Sequence, residues 1–239
     1  MTSSTTTGNT PFGPLVRPTG EDAPGATVLY LHHGHDVSAG PEAALAVAEL
    51  LAARTGATVL CAGYRPAYPE ALEDVSAAYD WFPGPGPTVL AGERVGAWLA
   101  TALLLRLRDS GAALPRCTTF VGALLDLTLD SRSLRLHVGG DPAFDVQGLR
   151  QRIERLGAKA VPTPLGANLH GLPPTQLLVA GTDPLLDDSL TFAARAAHDR
   201  VPVDLRVTAD RASLRTEAVP AMADFVARWH AGERSLVSR

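Results

Sequence analysis

The sequence predicts an α/β fold with a mostly parallel sheet and helices on both of its faces. The first observation is a regular pattern: from residue 27 on, short apolar runs rich in β-branched residues alternate with longer amphipathic stretches. The second is that the short runs are almost continuously apolar, which is typical of strands covered on both faces. Strands that alternate with helices join through right-handed crossovers and build a parallel sheet. With 239 residues, the chain has the length of one such domain.

The strands are predicted in the apolar runs and the helices in the stretches between them. The predicted strands are Thr27–His32, Thr58–Ala62, Thr88–Ala91, Thr119–Ala123, Gln176–Ala180 and Val203–Thr208. The predicted helices are Pro41–Arg54, Pro69–Phe82, Val95–Asp109, Gln147–Leu156, Leu185–His198 and Glu217–His230. Gly56 and Gly111 stand where the first and third helices should end, because glycine readily adopts the left-handed conformation of a helix terminus. The stretch 126–175 breaks this regular pattern, and we expect it to form a wall of the binding site.

Composition indicates one domain and excludes several classes of partner. Residues 1–26, rich in Thr, Ser, Gly and Pro, are predicted to be a flexible arm, and residues 27–239 a single domain. The net charge of -4 without a basic run argues against nucleic acid, and no apolar stretch approaches the roughly 20 residues of a membrane span. No secretory signal is recognisable, and Cys61 and Cys117 lie in apolar segments, so we expect buried free thiols in a reducing cytoplasm.

In open parallel sheets, ligands bind beyond the carboxyl ends of the strands, so the residues that follow each apolar run are informative. The third run is followed by Gly92-Glu93-Arg94-Val95-Gly96 and then by a predicted helix. A Gly-x-X-x-Gly turn between a strand and a helix is the nucleophile elbow of the α/β-hydrolases, which lifts its central side chain into the site. Here that residue is Arg94, whose guanidinium stays protonated and cannot attack a carbonyl.

Further segments, in the same order along the chain, resemble the hormone-sensitive-lipase branch of the α/β-hydrolases. They are Val28–His35, similar to the oxyanion loop; Tyr64–Ala67 and Ala71–Val75 with Trp81, similar to the second conserved block; and Leu172–Thr175 and Ala180–Leu185, similar to the strand and turn of the triad acid. The resemblance covers about residues 27–229 and implies an α/β-hydrolase fold. It also implies that Asp183 stands at the triad acid and the Val95 amide at an oxyanion donor.

The departures from that family concern the catalytic groups. Arg94 replaces the nucleophile, and His33 and His35 replace two glycines of the oxyanion loop around Gly34. The segment 209–214, where the family has its histidine, contains none, and Ser213 stands at the aligned position. A Ser-His-Asp mechanism needs a base that takes and returns the proton, so no ordinary route to an acyl-enzyme remains. The family's cap domain is expected to be reduced or absent, which predicts an open site for a bulky ligand.

Three functions are compatible with these departures. The main hypothesis is a cytoplasmic isomerase rather than a serine hydrolase. In size, fold and lack of a working triad, the chain resembles the peptide epimerases of bottromycin biosynthesis. That resemblance implies inversion of an aspartyl centre beside a thiazoline in a modified ribosomal peptide, with the substrate's own carboxylate assisting. The alternatives are a catalytically dead pseudo-hydrolase that binds or sequesters a metabolite, and a hydrolase with a displaced nucleophile.

For individual candidate site residues, more than one role is compatible with the sequence. The catalytic candidates are His33 and His35, because imidazole titrates near neutrality; the substrate-binding candidates are His33, Gly34, His35, Glu93, Arg94, Val95 and Asp183. Arg94 either holds a substrate carboxylate or fills the space of the nucleophile and pairs with Asp183 or Glu93. Asp183 acts either as a base with a raised pKa or as a helix cap. Neighbouring loop histidines do not converge easily on a metal, and we expect neither a metal nor another cofactor.

Overall fold

The computed structural model describes residues 4–19, 26–32, 40–82, 87–137, 145–155 and 163–231. Its strands are β1 (Thr5–Thr10), β2 (Gly13–Pro18), β3 (Thr27–Leu31), β4 (Thr58–Ala62), β5 (Val89–Glu93), β6 (Cys117–Val121), β7 (Thr175–Ala180) and β8 (Val203–Thr208). They form one eight-stranded sheet in the order β1-β2-β4-β3-β5-β6-β7-β8. The pairs β1–β2 and β2–β4 are antiparallel, and the other neighbours are parallel. The predicted mostly parallel sheet is therefore confirmed.

Helices fill most of the connections between the parallel strands. They are α1 (Leu45–Thr55), α2 (Glu70–Asp80), α3 (Val95–Asp109), α4 (Arg132–His137), α5 (Val146–Arg155), α6 (Leu186–His198) and α7 (Arg211–Ala231), with short 3-10 turns at Pro41–Ala44 and Pro164–Gly166. The last helix begins at Arg211 and not at the predicted Glu217. The reason is a cap: Asp210 Oδ1 accepts a hydrogen bond of 2.8 Å from the Ser213 amide, which sequence periodicity does not reveal.

The sheet separates two apolar cores, which explains why the central strands are apolar throughout. In β3, Leu29 and Leu31 join the core on one face, whereas Val28 and Tyr30 join the core on the other. The first core includes the fully buried Trp98 of α3. Because helices cover both faces, neither set of alternate side chains faces water. Among the described helices, none is both long enough and apolar enough to cross a membrane.

The amino-terminal residues correct one prediction. Residues 5–18, predicted as part of a flexible arm, form the antiparallel pair β1–β2 at the edge of the sheet. Leu15 and Val16 pair with Leu60 and Val59 of β4 and are almost completely buried. Composition suggested an arm because residues 5–18 are polar around a short apolar centre. The segment is ordered because β2 forms hydrogen bonds with the edge of β4, and composition does not reveal such a pairing. Of the other arm residues, 1–3 and 20–25 lie outside the described residues.

The stretch predicted to form a wall contains two helices: α4, which the sequence pattern did not predict, and α5. Leu134 of α4 and Leu149 of α5 belong to a third apolar cluster, which also includes Leu124 and Leu185. Val95, the first residue of α3, packs against this cluster. The insertion therefore lies beside the turn between β5 and α3.

Candidate active site

The turn between β5 and α3 has the geometry of an elbow. Arg94 has φ 53° and ψ -116°, a conformation that residues other than glycine rarely adopt. A Cβ atom at Gly96 would lie 2.1 Å from the carbonyl oxygen of Leu31, and one at Gly92 would lie 2.8 Å from the backbone of Ala97. Side chains are therefore excluded at both glycines, because α3 begins in close contact with the ends of both β3 and β5.

The side chain of Arg94 forms an ion pair with Asp183. Its Nη1 donates to Oδ1 of Asp183 at 2.8 Å and its Nη2 donates to Oδ2 at 2.9 Å. The exposed fractions of the two side chains are 11% and 0%. Such paired hydrogen bonds are the strong, geometrically specific form of an arginine–carboxylate contact. Of the alternatives that the sequence left open, the structure contains the pairing with Asp183.

Asp183 also organises the start of α6. Its Oδ1 accepts a hydrogen bond of 2.9 Å from the Leu185 amide, and its carbonyl oxygen accepts one of 3.0 Å from the Leu186 amide. The N-cap residue of α6 is Leu185, and no side chain caps the helix there, so Asp183 holds the turn before the helix and is not its cap. One carboxylate accepts from both Arg94 and the Leu185 amide.

The segment after β6 lies against Arg94, which the sequence pattern did not indicate. Gly122 has φ 51°, and a Cβ atom there would lie 3.3 Å from Cζ of Arg94 and 3.4 Å from Oδ2 of Asp183. The Leu124 amide donates to the carbonyl oxygen of Arg94 at 3.2 Å, and the Arg94 amide donates to that of Val121 at 3.2 Å. The only available signal was the position of Gly122 directly after an apolar strand.

Glu93 and His32 make contacts with tyrosines. The hydroxyl of Tyr30 donates to Oε2 of Glu93 at 3.2 Å, and burial together with Glu93 raises the pKa of Tyr30 well above its usual value. His32 is stacked on Tyr64 with ring centroids 4.9 Å apart, while the Tyr64 hydroxyl donates to the His32 carbonyl oxygen at 2.7 Å. Burial and Glu93 also raise the pKa of Tyr64. Both phenols therefore stay neutral and act as hydrogen-bond donors.

The structure describes only some of the other predicted site residues. His33, Gly34 and His35 lie outside the described residues. As the first residue of α3, Val95 has an amide N–H without a partner in the preceding turn of its own helix. Ser213 lies in the first turn of α7. Within the described part of the chain, no group of three or more His, Cys, Asp or Glu residues is arranged to hold a metal ion.

Comparison with known proteins decides the family. Residues 28–212 match a sequence family described as alpha/beta hydrolase fold. The chain belongs to this hydrolase family. An acetyl-hydrolase of Streptomyces hygroscopicus is 33% identical to this hydrolase-fold chain over 201 residues, which cover 79% of the chain and 67% of that protein. The putative acetyl-hydrolase LipR of Mycobacterium tuberculosis is 30% identical over 226 residues, covering 86% and 73%.

Solved structures agree with the family assignment. The crystal structure of an esterase from the bacterial hormone-sensitive lipase family matches this hydrolase-fold chain with a TM-score of 0.82 at 25% identity. The match covers 96% of this chain and 84% of the esterase. The predicted resemblance to the hormone-sensitive-lipase branch is thereby confirmed at the level of the fold.

The comparisons overturn the predicted reaction class. The relatives are named acetyl-hydrolases and esterases, which favours a hydrolase over an isomerase. The prediction of a peptide epimerase is therefore wrong, and nothing in these relatives supports a bottromycin-type peptide as substrate. The prediction relied on missing catalytic groups, which exclude one mechanism but do not point to a particular other reaction.

Neither cysteine of this hydrolase-fold chain is suited to nucleophilic attack. Cys61 and Cys117 are free and buried, as predicted. Burial raises the pKa of each thiol to about 12. Because the thiolate is the reactive form, both remain unreactive near neutral pH.

Proposed function

We propose that this chain binds an ester or another acylated small molecule in an esterase cleft without forming an acyl-enzyme at residue 94. The observation that carries the proposal is the guanidinium of Arg94 at the nucleophile position, held to Asp183 by two hydrogen bonds. A guanidinium cannot attack a carbonyl carbon. Asp183 is occupied by that pair and by the Leu185 amide, and the segment 209–214 offers no histidine for it to orient.

The scaffold keeps features that suit binding. The Val95 amide lies at the amino-terminal end of α3, where backbone N–H groups and the helix dipole favour an electron-rich atom. A carbonyl oxygen of the ligand is the partner of this amide. The ion pair of Arg94 and Asp183 has no net charge, so it does not require a charged ligand. The partly buried apolar side chains at the border of the third cluster suit a hydrocarbon portion of the ligand; they are Val95, Leu127 and Val146.

A second candidate is a hydrolase with a displaced nucleophile. The names of the relatives favour it, since acetyl-hydrolases and esterases cleave acyl groups. It requires an attacking group other than the side chain of residue 94. The two candidates differ in one observable, which is whether a covalent intermediate forms.

The test combines a covalent probe with a reversible ligand. The purified chain is treated with a fluorophosphonate and analysed by intact mass, and release of p-nitrophenol from acetate and butyrate esters is followed. We expect no adduct and no release above buffer. We also expect saturable binding of an aryl alkyl ketone, which has the carbonyl of an ester but no leaving group, as a rise in Tm. A stoichiometric adduct supports the second candidate and contradicts the proposal.

Arg94→Ser and Arg94→Ala form the matched pair for this test. Both lose the guanidinium, and only one supplies a hydroxyl group at the elbow. We expect both variants to leave the esters intact, because no histidine stands in the segment that carries the family's base. Ester cleavage by the serine variant alone reveals a base that the proposal does not contain.

A further inference from the structure

A second buried carboxylate holds the segment that wraps the elbow. Asp188 lies in the first turn of α6 and is 2% exposed. Its Oδ2 accepts hydrogen bonds from two consecutive amides, that of Leu125 at 2.8 Å and that of Asp126 at 2.9 Å. One oxygen atom thus fixes the direction of the chain just after β6.

That same segment lies on Arg94. The Leu124 amide donates to the Arg94 carbonyl oxygen, and Gly122 lies against the guanidinium. Two carboxylates near the start of α6 therefore act on the elbow. Asp183 holds the side chain of Arg94, and Asp188 holds the segment that contacts its backbone.

We propose that Asp188 is a positioning residue for the ligand site: its neutral form holds residues 122–126 against the elbow, and its ionisation favours their release. The consequence for ligands rests on the proposed function, whereas the effect on the segment does not. Release means that the two amide hydrogen bonds break and that water reaches the carboxyl group.

The direction of this pH effect follows from two opposing influences on the ionisation of Asp188. Hydrogen bonds from the Leu125 and Asp126 amides favour the carboxylate, but burial disfavours it more strongly. The negative charges of Asp126 in the segment and of Asp187 in α6 also disfavour the carboxylate. The result is a pKa raised from 3.8 to about 7. When the segment opens and the group is hydrated, the pKa falls back towards its usual value, so deprotonation favours the open form.

The neighbouring carboxylate supplies a matched control. Asp187 Oδ2 accepts a hydrogen bond of 2.8 Å from the Ser133 amide at the start of α4, rather than from an amide of the segment after β6. Asp187→Asn and Asp188→Asn remove the same charge from adjacent positions of one turn. In Asp188→Asn, the side-chain amide oxygen still accepts from both backbone amides.

The experiment is hydrogen exchange of the ligand-free chain at pH 6 and pH 8, with rates corrected for intrinsic exchange. In the wild type, we expect the protection of the Leu125 and Asp126 amides to fall about tenfold from pH 6 to pH 8. In Asp188→Asn it should not change with pH, and in Asp187→Asn the fall should persist. Protection that is independent of pH in the wild type overturns the proposal without any variant. A fall that persists in folded Asp188→Asn overturns it as well.

A ligand arm separates this inference from the proposed function. Saturating aryl alkyl ketone should increase the protection of the same two amides at both pH values, because a ligand at the elbow favours the closed segment. A ketone that binds without protecting them contradicts the proposed location of the ligand site. The pH dependence of the ligand-free chain alone decides the role of Asp188: the tenfold fall supports it, and its absence excludes it.

Discussion

At the level of single residues, Arg94 and Asp183 form a buried ion pair at the elbow. Removing two charges from water is costly, and the cost is offset only where the partners bind each other in good geometry. Here both terminal nitrogens of the guanidinium reach the carboxylate within 2.9 Å, and the Leu185 amide adds a third hydrogen bond. Arginine at residue 94 and the carboxylate at residue 183 are therefore energetically coupled.

This coupling is testable by comparing a single variant with a double variant. Arg94→Met leaves Asp183 buried without its cation, so the free energy of unfolding should fall by about 3–5 kcal/mol. Arg94→Met combined with Asp183→Asn should recover at least about 1 kcal/mol of that loss, because asparagine is neutral and still accepts from the Leu185 amide. Urea unfolding at pH 7 measures both. Equal stability of the single and double variants contradicts the coupling.

The elbow shows how an element is constrained by its neighbours. Helix α3 starts so close to β3 that a Cβ atom at Gly96 would lie 2.1 Å from one carbonyl oxygen and 2.6 Å from that of His32. The glycine pattern was recognisable in the sequence. The reason for it is a contact between two elements, which only the folded chain contains.

Gly96→Ala tests that contact. The added methyl group cannot be accommodated without moving α3 or β3, so Tm should fall, with a loss of about 1–3 kcal/mol in the free energy of unfolding. Gly8→Ala in β1 is the control, because its Cβ would have no heavy atom within 4 Å. The control should change stability by less than about 0.5 kcal/mol. If both alanine variants are equally stable, the close approach of α3 to β3 is refuted.

At the scale of the whole molecule, Asp188 links stability to pH. Its pKa in the folded chain, about 7, lies above the usual value of 3.8, so ionisation is less favourable in the folded than in the unfolded state. The stability that protonated Asp188 contributes to the folded state is fully present below about pH 4 and is lost as the pH rises to about 7. Asp188→Asn should therefore gain about 2–3 kcal/mol relative to the wild type between pH 5 and pH 8. Denaturant unfolding at the two pH values measures this, and a constant difference contradicts it.

Much of the fold could be predicted because it depends on local patterns. Apolar runs and glycine turns located the six parallel strands of the sheet within a few residues. The hairpin of β1 and β2 could not be predicted, because its burial depends on the free edge of β4. Asp188 could have been noticed, since it lies one helical turn from the buried Phe192 and on the same helix face.

The sequence by itself determined the family scaffold, the elbow, and the absence of serine and histidine from their expected positions. These are matters of residue identity and short spacing. Only the tertiary structure decided that Arg94 pairs with Asp183 while Glu93 contacts Tyr30, and that Asp188 holds the segment after β6. Arg94 and Asp183 are separated by 89 positions along the chain. Contacts over such separations depend on how strands are ordered in the sheet and on which groups become buried, and neither is encoded in local spacing.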